Sequence, residues 1–183
     1  MDKLLAIEGK LLRILGLAWG ISFIGMILIF AIVRLFSVTI DALNNFPFFW
    51  YHWVILILVI GLMAYSEGYK GFQKSFSPRV AARARYLYMH PQPIMLLLAP
   101  LFLVGYININ PGRQRNIFLL TLGIFILIFL VRFLAQPWRG IVDAGVVIGL
   151  TWGLVSLVFY CCKVMGSQPF EYSAEVPEPK TKN

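Results

Sequence analysis

An all-α fold, a polytopic membrane bundle of about five transmembrane helices, is what this chain predicts, and three observations predict it. Residues 14–33 form a run of 20 without Asp, Glu, Lys or Arg, and residues 42–66, 86–112, 116–131 and 144–162 form four more. A bilayer core about 30 Å thick is crossed by roughly 20 mostly apolar residues rising 1.5 Å each. The 183 residues are 60% hydrophobic and only 13% charged, where an ordinary soluble domain carries about 25% charged residues. A water-soluble domain of this size has too much surface to hide that much apolar side chain. Finally, the charges fall almost entirely between the apolar runs.

Residues 1–165 are expected to form a single membrane domain, and residues 166–183 a polar tail, disordered by composition, with Pro169, Pro177 and Pro179. In residues 1–12, Leu4, Leu5, Leu11 and Leu12 lie near one helical face, extending the first span along the membrane surface. The first span covers about 14–33. It is too long for the apolar region of a signal peptide, and Arg34, Leu35 and Phe36 follow it instead of small residues. A link ending at Pro47 leads into Phe46, Phe48, Phe49, Trp50, Tyr51, His52 and Trp53, an aromatic belt suited to headgroup level. The second span covers about 50–65.

Residues 66–90 read as the longest stretch between spans, with Lys70, Lys74, Arg79, Arg83 and Arg85 against Glu67. Phe72, Phe76 and Val80 recur every four residues, the period of an amphipathic surface helix that Pro78 is expected to break or restart. The third span, about 94–107, starts near Pro91 and Pro93 and is expected to kink at Pro100. Residues 108–112 (NINPG) form a turn by composition. The fourth span covers about 117–134. Gln136, Pro137 and Trp138 turn the chain into the fifth, about 141–160. Lys and Arg favour the N-terminus and residues 66–90 on the cytoplasmic side. With five spans, Arg113, Arg115 and the tail then fall outside, an N-inside/C-outside arrangement.

The net charge of +8 sits at helix ends, where anionic headgroups at the inner face explain it, and no nucleic-acid partner is expected. Cys161 and Cys162 are adjacent, a spacing unsuited to a disulfide. With His52 and His90 they form no zinc or haem pattern, so no cofactor, no metal site and no catalytic set is expected.

The sharpest pattern is Gly145, Gly149 and Gly153 in the fifth span. A four-residue step aligns them as a face for close helix packing, with Gly16 and Gly20 a second pair in the first span. Asp143 begins the fifth span four residues after Arg139, with Arg132 nearby. This is a first-turn carboxylate with an i−4 cation, or alternatively an ion or polar site. Glu67, Lys70, Lys74 and Arg79 form a candidate headgroup cradle at the inner end of the second span. The leading functional expectation is a non-enzymatic accessory or assembly subunit that works through helix contacts with a membrane-protein partner or a second copy. The alternative is a small oligomeric transporter or channel using Asp143, Arg132 or Thr151, and behind it an enzyme on lipid headgroups using Glu67 and His90. Short loops and the lack of an organelle signal suggest a bacterial cytoplasmic membrane.

Overall fold

The structure is a computed structural model describing residues 2–165 and 172–176, with side chains described from residue 11 to 164 and in 172–176. Its elements are helices, and no strand occurs among the described residues. Helix α1 (Asp2–Asn45) runs unbroken for 44 residues, so the N-terminal stub continues the first span as one rod, ~66 Å at 1.5 Å per residue. Helix α2 (Trp50–Met63) follows a four-residue break. The Phe49 N–H donates to His52 Nδ1 at 3.1 Å, and the His52 N–H donates to the Phe49 carbonyl at 3.0 Å. His52 thus takes the place that Glu or Gln fills in an ordinary capping box.

Residues 66–90 are not a connecting stretch. A π-helical segment (Ala64–Phe76) and helix α3 (Ser77–Met89) prolong α2 without interruption. Pro78 is tolerated because its missing donor falls where the ladder changes: Ser77 N–H still bonds five residues back, to the Phe72 carbonyl, before α-helical bonding resumes. The wider π turn also explains side-chain pairs five apart. Lys70 Nζ lies 4.8 Å above the Tyr65 ring and Lys74 Nζ 4.7 Å above the Tyr69 ring. In an α-helix, residues five apart do not stack.

The expected third span is also different. Residues 93–104 form two short helices, α4 (Pro93–Leu97) and α5 (Ala99–Val104), of five and six residues. Pro93 and Pro100 each sit in a first turn, where proline suits a helix start. Gly105 stops α5 with φ +101°, a left-handed value natural to glycine. Neither piece approaches the length a bilayer requires. Helix α6 (Pro111–Val131) and helix α7 (Trp138–Met165) complete the chain. Among the described residues four helices, against the five spans expected, are therefore long and apolar enough to cross a membrane: residues 11–45, 50–89, 111–131 and 138–164.

Helix α7 is the central element, packed against α1, α2, the π segment and α3. It runs parallel to the long second helix. Trp138 meets His52, with ring centroids 5.0 Å apart, and further along Ser156 Oγ lies 2.5 Å from Ser77 Oγ. It runs antiparallel to α1, whose Ala42 lies against Gly140. Leu56, Ile141 and Ala144 form a small apolar cluster at the Trp138 end. A larger core at the opposite end joins Leu17 and Ile24 of α1, Val80, Ala84 and Leu87 of α3, Ala99, Phe102 and Leu103 of α5, and Leu157 and Cys161 of α7.

Glycines set the closest approaches. A Cβ at Gly140 would lie 2.2 Å from Ala42 Cβ, and one at Gly153 would lie 2.5 Å from the Phe72 ring. Gly140→Leu is expected to cost about 1–3 kcal/mol through overpacking, read as a lowered thermal midpoint in detergent micelles. Gly123 meets nothing within 4 Å, and Gly123→Leu should leave that midpoint within a degree or two of wild type (about 0.5 kcal/mol).

Candidate functional site

Among the described residues, four charged side chains converge where α3, the end of α5, the start of α6 and residues 172–176 meet. Arg83 lies on α3 among Val80, Ala81, Ala82 and Ala84. These small side chains let neighbouring backbone come close, and Arg83 itself is 2% exposed. Its Nη1 donates to the carbonyls of Leu103 at 3.1 Å and Val104 at 2.9 Å, and its Nε to the carbonyl of Ala174 at 3.3 Å. The first two are carbonyls of the last turn of α5, which have no partner inside their own helix. Gly105 makes this approach possible: a Cβ there would fall 2.5 Å from Arg83 Nη1.

The remaining Arg83 donor, Nη2, reaches Glu175 Oε2 at 3.3 Å. Arg113, in the first turn of α6, donates from Nε to the same oxygen at 3.1 Å. Arg79, one helical turn before Arg83, places Nε 3.6 Å from Oε1 and donates from Nη1 to Ser75 Oγ at 3.0 Å. Three guanidiniums thus share one carboxylate. Glu175 is fixed through its backbone as well. Its carbonyl accepts from Asn110 N–H at 3.2 Å, its N–H donates to Ser173 Oγ at 3.1 Å, and its φ is +56°. Val176 packs on the main core, and Tyr172 meets the Tyr160 ring edge-on with centroids 6.0 Å apart.

This cluster revises two expectations. Residues 172–176 of the tail are laid against the bundle by ion pairs, backbone hydrogen bonds and an apolar contact; the rest of residues 166–183 lies outside the described residues. The five-span arrangement expects Arg79 and Arg83 on one membrane face, and Arg113 and the tail on the other. A single carboxylate lies within 3.6 Å of all three arginines, so they share one end of the bundle. The arrangement with the tail opposite residues 66–90 rests on a fifth span, and α4 and α5 are too short to supply it.

The expected site residues are distributed as follows. Gly145 and Gly149 face Val59, Met63, Glu67 and Gly68, and Gly153 faces Phe72, so the glycine face of α7 is filled by α2 and the π segment of the same chain. Gly16 and Gly20 of α1 face Leu96, Ala99 and Leu103, on α4 and α5. Asp143 is buried, with Oδ2 3.8 Å from Arg139 Nε, and neither atom has a hydrogen-bond partner. Arg132 caps α6 and is exposed, its N–H donating to the Ile128 carbonyl at 3.3 Å. The proposed headgroup set divides. Lys70 and Lys74 cover tyrosine rings, the Glu67 side chain begins against Gly149, and Arg79 joins the Glu175 cluster. His52 is buried in the aromatic belt, and His90 stacks on Tyr86 at 4.7 Å at the far end of the long helix. Among the described residues no group of three His, Cys, Asp or Glu side chains could hold a metal.

Sequence reasoning missed Arg83, Arg113 and Glu175. A signal was present for the first: an arginine among Ala81, Ala82 and Ala84 on a helix is set for burial rather than for a solvated loop. Nothing in the local sequence marks Glu175. The chain matches no protein-family model, no curated protein and no solved structure.

Replacing Arg83 by Met keeps most of its length and strands the carbonyls it serves. The expected loss is about 3 kcal/mol, measured by chemical unfolding in micelles. Proteolysis within residues 172–176 should be faster than in wild type.

Proposed function

We propose that this chain is a non-enzymatic multi-pass membrane protein, an accessory or assembly subunit that works by offering a helix to another membrane protein. One observation carries the reading: α6 is a 21-residue helix with no buried residue. Every side chain from Leu122 to Leu130 is exposed, Phe125 and Phe129 by 66% and 61%. Its ties to the bundle lie in its first turns. Tyr106 Oη is 2.6 Å from Thr121 Oγ1, Gln114 Nε2 donates to the Tyr106 carbonyl, and Tyr106 meets Phe118 with centroids 5.2 Å apart. Between helices in lipid, van der Waals packing replaces the hydrophobic drive. Beyond Thr121, where α6 has no buried side chain among the described residues, its contact surface is therefore available to another helix.

Charge supports an orientation with the arginine cluster on the cytoplasmic side, and with both the N-terminus and the tail there. Among the described residues, the Lys and Arg in segments nearer the Trp138 end are Arg34, Arg132 and Arg139. A bacterial cytoplasmic membrane remains the proposed location. The transporter alternative draws less support. Thr151 lines a shallow groove of about 520 Å³ on the outside of α7 with Ile148, Trp152, Val155 and Phe159, and neither Asp143 nor Arg132 borders it.

A photoreactive amino acid placed at Ile124, Phe125 or Phe129 should crosslink in native membranes to one discrete protein, or to a second copy of this chain. The same probe on the packed face of α7, at Val147, should give only intramolecular products. Lipid adducts alone at all three α6 positions would refute the subunit reading.

A further inference from the structure

Arg79, Arg83 and Arg113 form a floor and a rim. Arg83 is at the bottom, while the side chains of Arg79 and Arg113 are 32% and 29% exposed. Among the described residues, Glu175 is the carboxylate in ion-pair range of all three. It is an imperfect match. Its two oxygens serve three cations, so Arg83 and Arg113 share Oε2 and Arg79 is left 3.6 Å from Oε1. A phosphoryl group presents three strong acceptor oxygens and up to two negative charges, and guanidinium forks suit it closely. Glu175 is also held in a left-handed backbone conformation that non-glycine residues seldom adopt. Placement favours the same chemistry. Arg113 lies in the first turn of α6, where a helix long and apolar enough to cross a bilayer begins. If α6 spans, that is the depth of lipid phosphates.

We propose that Arg79, Arg83 and Arg113 constitute a binding site for a phosphoryl anion, and that Glu175 is its built-in competitor, filling the site until a phosphate-bearing ligand displaces the 172–176 segment. The phosphoryl group could belong to a lipid headgroup or to a soluble phosphate. A carboxylate on the same chain acts at high effective concentration, so it weakens the apparent affinity of any free ligand by the fraction of time it occupies the site. This site is distinct from the α6 surface on which the subunit reading rests, and either can fail without the other.

The full chain in detergent micelles, titrated calorimetrically with dioctanoyl phosphatidic acid, inorganic phosphate and dioctanoyl phosphatidylcholine, tests this. Glu175→Gln keeps the side-chain volume and removes the competing charge. It should bind phosphatidic acid at least tenfold more tightly than wild type, and adding Arg79→Gln and Arg113→Gln, with Arg83 retained, should erase the gain. Tightening toward phosphatidic acid alone supports a headgroup as the source of the phosphoryl group; equal tightening toward inorganic phosphate supports a soluble ligand. Equal affinities in wild type and Glu175→Gln, or a gain that survives loss of both rim arginines, would overturn the proposal. A wild-type measurement needs no substitution: saturating phosphatidic acid should accelerate proteolysis at 172–176 severalfold, and an unchanged or slower rate would also overturn it.

Discussion

The close parallel approach of α7 to the long second helix is the constraint on which the rest of the bundle depends. Gly145, Gly149 and Gly153 remove the side chains that would otherwise hold the two axes apart, and Val59, Met63, Glu67 and Phe72 move into the space. In hydrocarbon, where apolar burial gives no drive between helices, this intimacy is what makes association favourable. The small polar contacts lie along the same interface. Ser77 and Ser156 satisfy each other at 2.5 Å, and Ser156 also donates to the Gly153 carbonyl at 3.1 Å. With α7 seated, α1 closes against its other side through Gly140 and Ala42, and α3 is brought to the place where α5 can cover it.

Burial of Arg83 shows how the fold handles a charge in a small apolar core. A guanidinium removed from water is destabilising unless all its donors are used. Here the end of α5 supplies two carbonyls, Ala174 a third and Glu175 the counter-charge. The broken helix α4–α5 is thereby explained. A continuous span through residues 94–107 would engage the Leu103 carbonyl in its own ladder; stopping at Gly105 leaves it, with that of Val104, free for Arg83. One arginine thus links three segments remote in sequence, and the tail segment is part of the folded unit because it completes that set.

Hydropathy made the helical class and the outer spans legible, because runs such as 14–33 and 144–162 admit few other readings. It failed between residues 64 and 107 for two physical reasons. Charge density reads as exposure, which holds for Lys70 and Lys74, but Arg83 is buried against backbone carbonyls. An apolar stretch was read as a crossing, although Pro93, Pro100 and Gly105 divide it into pieces too short to cross. The α7 glycines were visible as a packing face, but not their occupant, since a small-residue stripe does not specify which helix fills it. Glu175 was beyond reach: its role comes from contacts with Arg79, Arg83 and Arg113, some 60 to 100 positions earlier, and no local periodicity encodes them.

The π ladder from Ala64 to Phe76 behaves as a phase shifter between two halves of one rod. Each α-helical residue advances the azimuth by about 100° and the wider i−5 turn advances it by less, so returning this segment to ordinary i−4 bonding at unchanged length would rotate everything beyond it relative to α2. Val80, Ala84 and Leu87 would then swing off the core, and Arg83 would point away from the α5 terminus it serves. The uneven ladder is what lets one continuous helix present its first half to α7's glycines and its second half to the arginine cluster.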